Sequence, residues 1–361
     1  MTLHPCFKRI RGVAKLFFLV SGENPTLSLS EVKSILSAEG YEYHVLSELT
    51  QLLRLEADTR CAEAVRFRSA LARACALEIF GCNATLDEIL AYAERTDFKP
   101  FIESGESFAV RVLRVRGSSP EISCLALERR IGETILKDVK SKGVRVNLEN
   151  PDKVFLGILT DEKFFFGLRI AEIKHKDLLE RGPRRRLFFH PAALTAKMAR
   201  CMVNLAQARA GEIVLDPFCG TGSILIEAGL IGCRVIGLDV SRRMVEGSQK
   251  NLRFFGIEPD GLMVADARAL PLPHGSVKCV VTDPPYGTSS STFGLTTKDL
   301  IEGFFSATSN IIKNEGMVCV AAPKTLGLHE IGEKYGFRHV ESHYVYVHRR
   351  LTREIAVFKI E

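Results

Sequence analysis

Residues Glu212–Ser223 read EIVLDPFCGTGS, a short apolar run followed by an acid, two glycines and the start of a helical pattern. A strand that turns through a glycine loop into a helix is typical of nucleotide-type sites in parallel α/β sheets. Gly220 and Gly222 let the backbone approach a ligand closely, and free amides at a helix start favour an anionic group. We therefore predict a strand at Glu212–Leu215, a helix at Ser223–Gly229 and a ligand-binding loop between them.

Three acids follow predicted strands in this half of the chain. Asp216 ends the first strand, and Asp239 ends the next one, Arg234–Asp239. An acid about 20 residues beyond such a loop hydrogen-bonds ribose hydroxyls. Asp266 follows a strand at Leu262–Val264 and is a candidate partner for an adenine amino group. Each acid alone is more often a turn or cap residue, but their order predicts a ligand site. The loop lacks the GxGxxG pattern, which disfavours NAD.

Residues Cys279–Gly287 read CVVTDPPYG and carry the most specific chemical signal. An apolar strand delivers Asp283 to a turn that Pro284 and Pro285 stiffen. The carboxylate and the turn carbonyls form an acceptor cluster that suits an amine, holding its lone pair for in-line attack on the methyl of a sulfonium. Asp283 can also take the released proton, and Tyr286 can stack on a base. The alternative is a proline-rich turn after a core strand.

The N-terminal half has an α+β pattern and a basic segment. The chain has a net charge of +6, and residues 111–186 hold 18 Lys and Arg against 11 Asp and Glu. This excess fits a polyanion-binding surface, although a solvated surface explains it equally well. Apolar runs predict strands at Leu16–Val20 and Phe108–Val115, and we expect Ala62–Phe80 to be a helix that ends at Gly81.

Composition limits the class of protein. A chain of 361 residues suggests two or three domains, and its apolar runs fall short of the roughly 18 residues that span a bilayer. We expect a cytoplasmic protein with no membrane contact, because the N-terminus lacks a signal-peptide pattern. The ten cysteines show no CxxC pair, so we interpret them as mostly small buried residues and predict no metal site. One disulfide stays open if the source is a hyperthermophile.

Several motifs together resemble one known family. They are SGENPTLSLSEV from Ser21, Phe189-His190-Pro191, LDPFCGTG, GLDVSRRMVEG, VTDPPYG and VHRRLTREI, with a THUMP-like region from about Phe67 to Ile173. In combination they resemble the archaeal tRNA guanosine-10 N2-methyltransferases, and the resemblance covers nearly the whole chain. The DPPY motif alone is shared with adenine-N6 and glutamine-N5 methyltransferases, so it indicates the reaction class, whereas the N-terminal modules point to tRNA.

The resemblance implies an α/β Rossmann-like methyltransferase domain preceded by α+β ferredoxin-like and THUMP domains. The expected boundaries are 1–66 for the ferredoxin-like domain, 67–173 for the THUMP domain, 174–190 for a basic linker and 191–361 for the catalytic domain. The implied activity is transfer of a methyl group from S-adenosylmethionine to the N2 amine of a tRNA guanosine, at position 10, once or twice.

The site residues follow from the matching motifs. Catalytic roles fall to Asp283, Pro284 and Tyr286. Cofactor binding falls to Asp216, Phe218, Gly220, Thr221, Gly222, Asp239 and Asp266. Substrate contacts are expected from Arg184, Arg185, Arg186, His190, Arg350 and Arg353, although a charged hinge or surface position explains these residues as well.

Two alternatives and one partner remain open. The same geometry serves an adenine-N6 or glutamine-N5 methyltransferase, and a non-catalytic tRNA-binding scaffold would keep the fold without the reaction. Some relatives work with a small zinc-binding activator subunit that adds a strand to the catalytic sheet. Leu262–Val264 with Phe254 and Phe255 would present an apolar edge for it, and ordinary core packing also explains them.

Overall fold

The computed structural model describes residues 12–285, 296–349 and 351–360, and these fall into two compact units. The first unit holds the described residues up to 29 together with 41–67 and 72–173. The second holds 30–40, 68–71 and the described residues from 174 onward. Two short N-terminal segments, 30–40 and 68–71, therefore belong to the second unit.

The first unit is built on an eight-stranded sheet with the order β2-β3-β1-β4-β8-β7-β5-β6. Its strands are β1 Val13–Val20, β2 Tyr43–Leu49, β3 Leu52–Asp58, β4 Ala72–Asn83, β5 Ser107–Arg114, β6 Arg145–Val146, β7 Lys153–Thr160 and β8 Lys163–Glu172. The helices are α1 Pro25–Ala38, which continues into the second unit, α2 Cys61–Arg68, α3 Leu86–Arg95 and α4 Cys124–Asp138. Strand β5 pairs in parallel with β6 and β7, and the other neighbours are antiparallel.

The predicted helix at Ala62–Phe80 is wrong in its second half. Helix α2 ends at Arg68, and Ala72–Asn83 is the strand β4, which pairs with β1 on one side and β8 on the other. Four consecutive residues of this strand, 74–77, are buried, so the stretch loses the alternation that identifies a half-buried strand. The alanines of this stretch then favour a helix by local propensity, and sheet pairing overrides them.

Glu31 ties the two short N-terminal segments of the second unit together. Its buried carboxylate accepts hydrogen bonds from the Ser69 hydroxyl at 2.6 Å and from the amides of Ala70 and Leu71 at 2.8 and 2.9 Å. The Asn204 side chain donates a further bond at 2.9 Å. A buried carboxylate satisfied by four donors holds these segments firmly, since leaving any of them unpaired would be costly.

The second unit is built on a seven-stranded sheet with the order β11-β10-β9-β12-β13-β15-β14. Its strands are β9 Ile213–Asp216, β10 Arg234–Asp239, β11 Gly261–Val264, β12 Val277–Thr282, β13 Ile312–Pro323, β14 Phe337–His348 and β15 Leu351–Ile360. The helices are α5 Lys176–Glu180, α6 Ala196–Leu205, α7 Ser223–Leu230, α8 Arg242–Phe254, α9 Thr297–Ile311 and α10 Leu328–Lys334.

The connectivity of this sheet determines where a ligand can bind. Strands β9 to β13 run parallel, and β15 is antiparallel to β13 and β14. The chain moves outward from β9 to β10 and β11, then returns to the other side of β9 with β12. In an open parallel sheet, ligands bind at the carboxyl ends of the strands beside this change of direction. The predicted acids Asp216, Asp239 and Asp283 all lie at that edge.

A candidate active site at the carboxyl edge of the second sheet

The loop between β9 and α7 has the geometry that its glycines predict. Gly220 and Gly222 have φ angles of +49° and +80°, in the left-handed region that glycine adopts without strain. A Cβ atom at Gly222 would lie 2.5 Å from the Ser248 hydroxyl, so the glycine also permits close packing on α8. The Cys219 amide donates to the Leu238 carbonyl at 2.8 Å, which fastens the loop to β10. The loop is thus held by its neighbours before any ligand binds.

Asp239 supports the same loop from the end of β10. One carboxylate oxygen accepts the Gly220 amide at 3.0 Å, and the other accepts the Ser241 amide at 2.9 Å. Burial raises the pKa of Asp239, while these amides and the nearby His190 partly offset that effect. His190, predicted as a substrate contact, therefore lies close enough to Asp239 to affect it electrostatically.

Asp216 is the most buried acid of the edge, with 2% of its surface exposed. Its Oδ1 accepts the Thr282 hydroxyl at 2.7 Å and the Phe218 amide at 3.2 Å. Burial, with smaller contributions from the charges of Asp283 and Asp239, raises the pKa of Asp216 to about 7, although its two hydrogen bonds act in the opposite direction. The three acids are thus close enough to interact, because neighbouring parallel strands end at the same edge.

The other predicted cofactor residues differ in their surroundings. Asp266 lies just beyond β11 in an ion pair with Arg268 at 2.6 Å, and hydrogen bonds from Arg268 lower its pKa. Phe218 is half-buried, packs against the core of the sheet and lies 6.1 Å from the Phe304 ring between centroids. Thr221 is buried, and its carbonyl accepts the Asn251 side chain at 2.9 Å.

Asp283 lies directly after β12, and Arg353 of β15 is its charged partner. Arg353 Nη2 lies 3.4 Å from Asp283 Oδ2, and both side chains are largely buried. Arg353 stands opposite Pro323, the last residue of β13, so the antiparallel hairpin carries it back to the carboxyl edge. Two residues predicted from separate motifs are thereby brought together. Tyr286 and Arg350 lie outside the described residues.

The three adjacent arginines have unequal environments. Arg184 and Arg185 are exposed, whereas Arg186 is buried, with 6% of its surface exposed. The predicted contact between Arg186 and tRNA is therefore wrong for this conformation, because its guanidinium does not reach solvent. Phe188 beyond it is fixed by Asn251, which accepts its amide and donates to its carbonyl, each at 2.9 Å.

Two further residues shape the site, Thr282 and Asn251, and neither was predicted from the sequence. Thr282 stands immediately before Asp283, and its position at the end of an apolar strand was the available signal. Asn251 is fully buried on α8, where a polar residue among the apolar positions of a helix would have indicated a structural hydrogen bond.

Cysteines, metal ligands and membrane spans complete the description. The nine cysteines in the part of the chain that the structure describes are free thiols, and all but Cys124 are buried, as predicted. Across 12–285, 296–349 and 351–360, no group of three His, Cys, Asp or Glu side chains is arranged to hold a metal ion. None of the helices in these ranges is long and apolar enough to cross a bilayer.

Comparison with known proteins identifies both halves of the chain. Residues 183–353 match the family described as RMKL-like, methyltransferase domain, and residues 83–169 match the THUMP domain. The crystal structure of TrmN from Thermus thermophilus superposes with a TM-score of 0.56 at 22% identity, covering 96% of this chain and 100% of that one. That likeness shows the fold, and the predicted Rossmann-like methyltransferase class with a THUMP domain is confirmed.

Two curated relatives are more similar in sequence. The tRNA (guanine(10)-N2)-dimethyltransferase of Methanocaldococcus jannaschii is 36% identical, with 72% of each chain covered. The protein of the same name from Methanothermobacter thermautotrophicus is 37% identical over 96% of this chain and 99% of its own length. This similarity confirms the predicted resemblance, and the chain belongs to the family of the tRNA (guanine(10)-N2)-dimethyltransferases.

Proposed function

We propose that this protein transfers methyl groups from S-adenosylmethionine to the exocyclic N2 amine of guanosine 10 in tRNA. The observation that carries the proposal is the position of Asp283. It directly follows β12 at the same edge of the sheet as the glycine loop, and its charge acts on Asp216 at the end of β9. An acceptor for an amine thus stands beside a loop suited to a nucleoside cofactor.

The loop fits S-adenosylmethionine in shape and in chemistry. A Cβ atom at Gly220 would meet only the Phe218 carbonyl oxygen, at 3.9 Å, so the backbone there faces open space that a ligand can occupy. The hydrogen bonds to Asp216 engage Oδ1, which leaves Oδ2 as the oxygen to face a cationic group. Asp239 is placed for ribose hydroxyls and the first turn of α7 for a carboxylate. Phe218, Thr221, Gly222 and Asp266 complete the proposed set.

The residues at the end of β12 and on β15, which we call the base half of the site, then have separate roles. The cofactor, when bound, supplies a methyl group activated on a sulfonium. Asp283 accepts a hydrogen bond from the guanine amine, which holds the nitrogen lone pair toward the methyl carbon. The carbonyl of Pro284 is a second acceptor, and Asp283 takes the proton that the amine loses. Arg353 fixes the orientation of the Asp283 carboxylate. Tyr286 is proposed to stack on the base.

The choice of tRNA as substrate rests on the THUMP match and on the relatives. The THUMP domain lies at residues 83–169 of this chain, and two relatives that are similar over most of the chain are named for the N2 amine of guanine 10 in tRNA. Arg184 and Arg185 are exposed cations suited to phosphate contacts, with His190 and Arg350 as further candidates. We retain the division at 66, 173 and 190 and the ferredoxin-like assignment of the first segment as part of this proposal.

The edge of the catalytic sheet supports a proposal about a partner. Strand β11 is an edge strand, and Val264 on it and Phe254 on α8 are 48% and 54% exposed. Such an edge can accept a strand from a small zinc-binding activator subunit. We propose a cytoplasmic enzyme that forms a heterodimer with this subunit. Co-purification of the two proteins tests the proposal. A complex in which β11 does not pair with a strand of the subunit would contradict it.

The function is tested by product analysis. The purified protein is incubated with S-adenosylmethionine and unmodified tRNA transcripts, with and without the candidate activator, and nucleosides are identified by mass spectrometry. We expect N2-methylguanosine or N2,N2-dimethylguanosine, and its loss from a matched transcript with adenosine at position 10. Formation of N6-methyladenosine would overturn the choice of base, and absence of product under all conditions would favour the tRNA-binding scaffold.

A further inference from the structure

Residues 181–188, which we call the strap, connect α5 to the catalytic site along the surface of α7. At its start, Arg181 Nε donates to Glu227 of α7 at 2.8 Å. At its end, the backbone of Phe188 is held by Asn251, whose side chain also donates to the Thr221 carbonyl of the cofactor loop. The strap is therefore fastened to the loop and to the helix that follows it.

Arg186 is the strap residue with the most direct connection to the cofactor loop. Its Nη1 donates to the Ser223 hydroxyl at 2.5 Å and lies 3.5 Å from the Thr221 hydroxyl. Its Nε donates to the Arg181 carbonyl at 3.2 Å. Its Nη2 is buried and has no hydrogen-bond partner among the residues that the structure describes. The guanidinium thus lies beneath the last residues of the loop and the first turn of α7.

Burial of the Arg186 guanidinium is unfavourable in free energy, because two other arginines share the nearby carboxylate. Arg200 Nη2 lies 2.9 Å from Glu227, so this one carboxylate pairs with Arg181 and Arg200 while Arg186 is buried nearby. Burial lowers the pKa of Arg186 to about 10, with Glu227 and Arg181 acting in opposite directions, so the side chain stays charged at neutral pH. A buried cation that is incompletely paired contributes little to folding stability, since an apolar side chain of similar volume often stabilises the fold equally well. The contacts of Arg186 with the loop between β9 and α7 indicate that this arginine has a role other than stability.

We propose that Arg186 is a positioning residue for the cofactor, acting through Thr221 and Ser223, and that it does not bind RNA. This inference rests on the proposed function, because it assigns the loop to S-adenosylmethionine. The bonds from Arg186 fix the side chains that border the amides of the first turn of α7. Without them the loop samples other arrangements, and the cofactor must restore the binding geometry at a cost in affinity.

The same strap then has two functional sides. Arg184 and Arg185 on the exposed side are available to tRNA phosphates, while Arg186 on the buried side serves the cofactor loop. Neighbouring arginines in one short basic run therefore differ in the step that they support. Substituting one side should change tRNA affinity and its salt dependence, and substituting the other should change cofactor affinity.

The test compares variants by binding of S-adenosylhomocysteine, measured by calorimetry, and by kinetics. The Arg186→Met variant keeps the volume of the side chain and loses its charge and donors, and Arg186→Lys restores the charge. The matched control is Arg200→Met, because Arg200 is equally buried and pairs with the same Glu227. The second control is Arg184→Gln/Arg185→Gln on the exposed side. Thermal unfolding of each variant records the loss of stability.

We expect Arg186→Met to weaken binding of the probe and raise the KM for S-adenosylmethionine about tenfold, the effect of losing one or two charge-assisted hydrogen bonds. kcat at saturating cofactor and the affinity for tRNA should stay within about twofold, and Arg186→Lys should recover part of the loss. Arg200→Met should lower the unfolding temperature similarly without this change in KM. The double variant should lower the slope of log Kd against log salt by about two, one per phosphate contact.

Two results would overturn the proposal. An equal loss of affinity for S-adenosylhomocysteine in Arg186→Met and Arg200→Met would mean that Arg186 contributes only to the stability of the fold. A loss of tRNA affinity in Arg186→Met would mean that Arg186 takes part in RNA binding. Both leave the proposed function intact. Failure of the wild-type protein to bind the probe would instead remove the proposed function, and this inference with it.

Discussion

The carboxyl edge of the catalytic sheet has two halves, and the carboxylates in each half have different hydrogen-bond and charge partners. In the half proposed to bind the cofactor, the cofactor half, Asp216 and Asp239 are held by backbone amides and a hydroxyl, and burial raises the pKa of both. In the half proposed to bind the base, the base half, Asp283 is opposed by the guanidinium of Arg353. The same type of side chain is thus placed among neutral donors on one side and beside a full positive charge on the other.

This difference follows from how each half is assembled. The acids of the cofactor half lie in a continuous β9-loop-α7-β10 segment, and amides in or next to this segment supply three of their four donors, the fourth being the Thr282 hydroxyl of β12. The base half joins the end of β12 to a hairpin strand that reaches the same edge because β15 runs antiparallel to β13. Environment can give chemically identical carboxylates separate roles. If that holds here, substitutions in the two halves should damage separate steps of the reaction.

The largest effect is expected from Asp283→Ala. Loss of the acceptor for the amine and its proton should lower kcat about 10²- to 10⁴-fold, the range for removal of a general base. Single-turnover rates with unmodified tRNA measure the chemical step, and calorimetry with S-adenosylhomocysteine should give a Kd within about twofold of wild type. A near-normal rate would contradict the assignment of Asp283, and a comparable loss of cofactor affinity would contradict the separation of the halves.

The reverse pattern is expected from Asp239→Ala. This change removes the acceptor of the Gly220 and Ser241 amides as well as the proposed ribose contact, so cofactor affinity should fall about 10- to 100-fold. Binding of tRNA, measured on filters, should be unchanged. Asp266→Ala is the matched comparison: its carboxylate is already paired with Arg268, so a smaller loss is expected. Equal losses of cofactor affinity in the two variants would contradict the larger contribution to cofactor binding that we assign to Asp239.

The cofactor half was also the more predictable from sequence. Its strand, loop and helix are contiguous, so local rules placed the glycines and both acids correctly. The base half was predicted only in part. The DPPY motif indicated Asp283, but pairing with Arg353 depends on the register of a hairpin, which long-range contacts determine.

Burial explains the remaining errors. The run Arg184-Arg185-Arg186 looks uniform in sequence, yet the strap turns Arg186 inward because Thr221, Ser223 and Glu227 lie beneath it. Local charge patterns do not show which member of a basic run has such partners. The mistaken helix at Ala72–Phe80 has a similar origin, since β4 is fixed by pairing with β1 and β8, which are distant from it in sequence.

A smaller effect is expected from Arg353→Gln, which sharpens the account of the base half. The guanidinium orients Asp283 across 3.4 Å in a largely buried pair, so its loss should lower kcat about fivefold or less without changing cofactor affinity. Arg338→Gln, on an exposed position at the other end of the same hairpin, is the control and should leave kcat unchanged. A drop as large as that of Asp283→Ala would mean that Arg353 itself contacts the reacting groups.

The smallest effect concerns stability and tests the buried acid of the cofactor half. Burial raises the pKa of Asp216 from 3.8 to about 7, so the folded protein holds a proton that the unfolded chain releases between these values. The free energy of unfolding contributed by Asp216 should therefore decrease as the pH rises through that window, and stay low above it. Asp216→Asn keeps an acceptor for Thr282 and Phe218 but cannot ionise. The unfolding temperature of the wild type relative to this variant should fall by a few degrees between pH 5 and 8, since about 2–4 °C corresponds to 1 kcal/mol in proteins of 150–250 residues.

The sign of this change separates burial from ion pairing. Arg268 lowers the pKa of Asp266, so the stability that Asp266 contributes is present above its usual pKa and is lost only as the pH falls below that range. The difference in unfolding temperature between the wild type and Asp266→Asn should therefore be constant from pH 5 to 8, where Asp216→Asn shows its shift. If Asp216→Asn also gave a constant difference, Asp216 would keep one protonation state across neutral pH. The acids of the cofactor half would then be charged at neutral pH. The two halves would differ only in the donors that face their carboxylates, which are neutral amides and a hydroxyl in one half and the Arg353 guanidinium in the other.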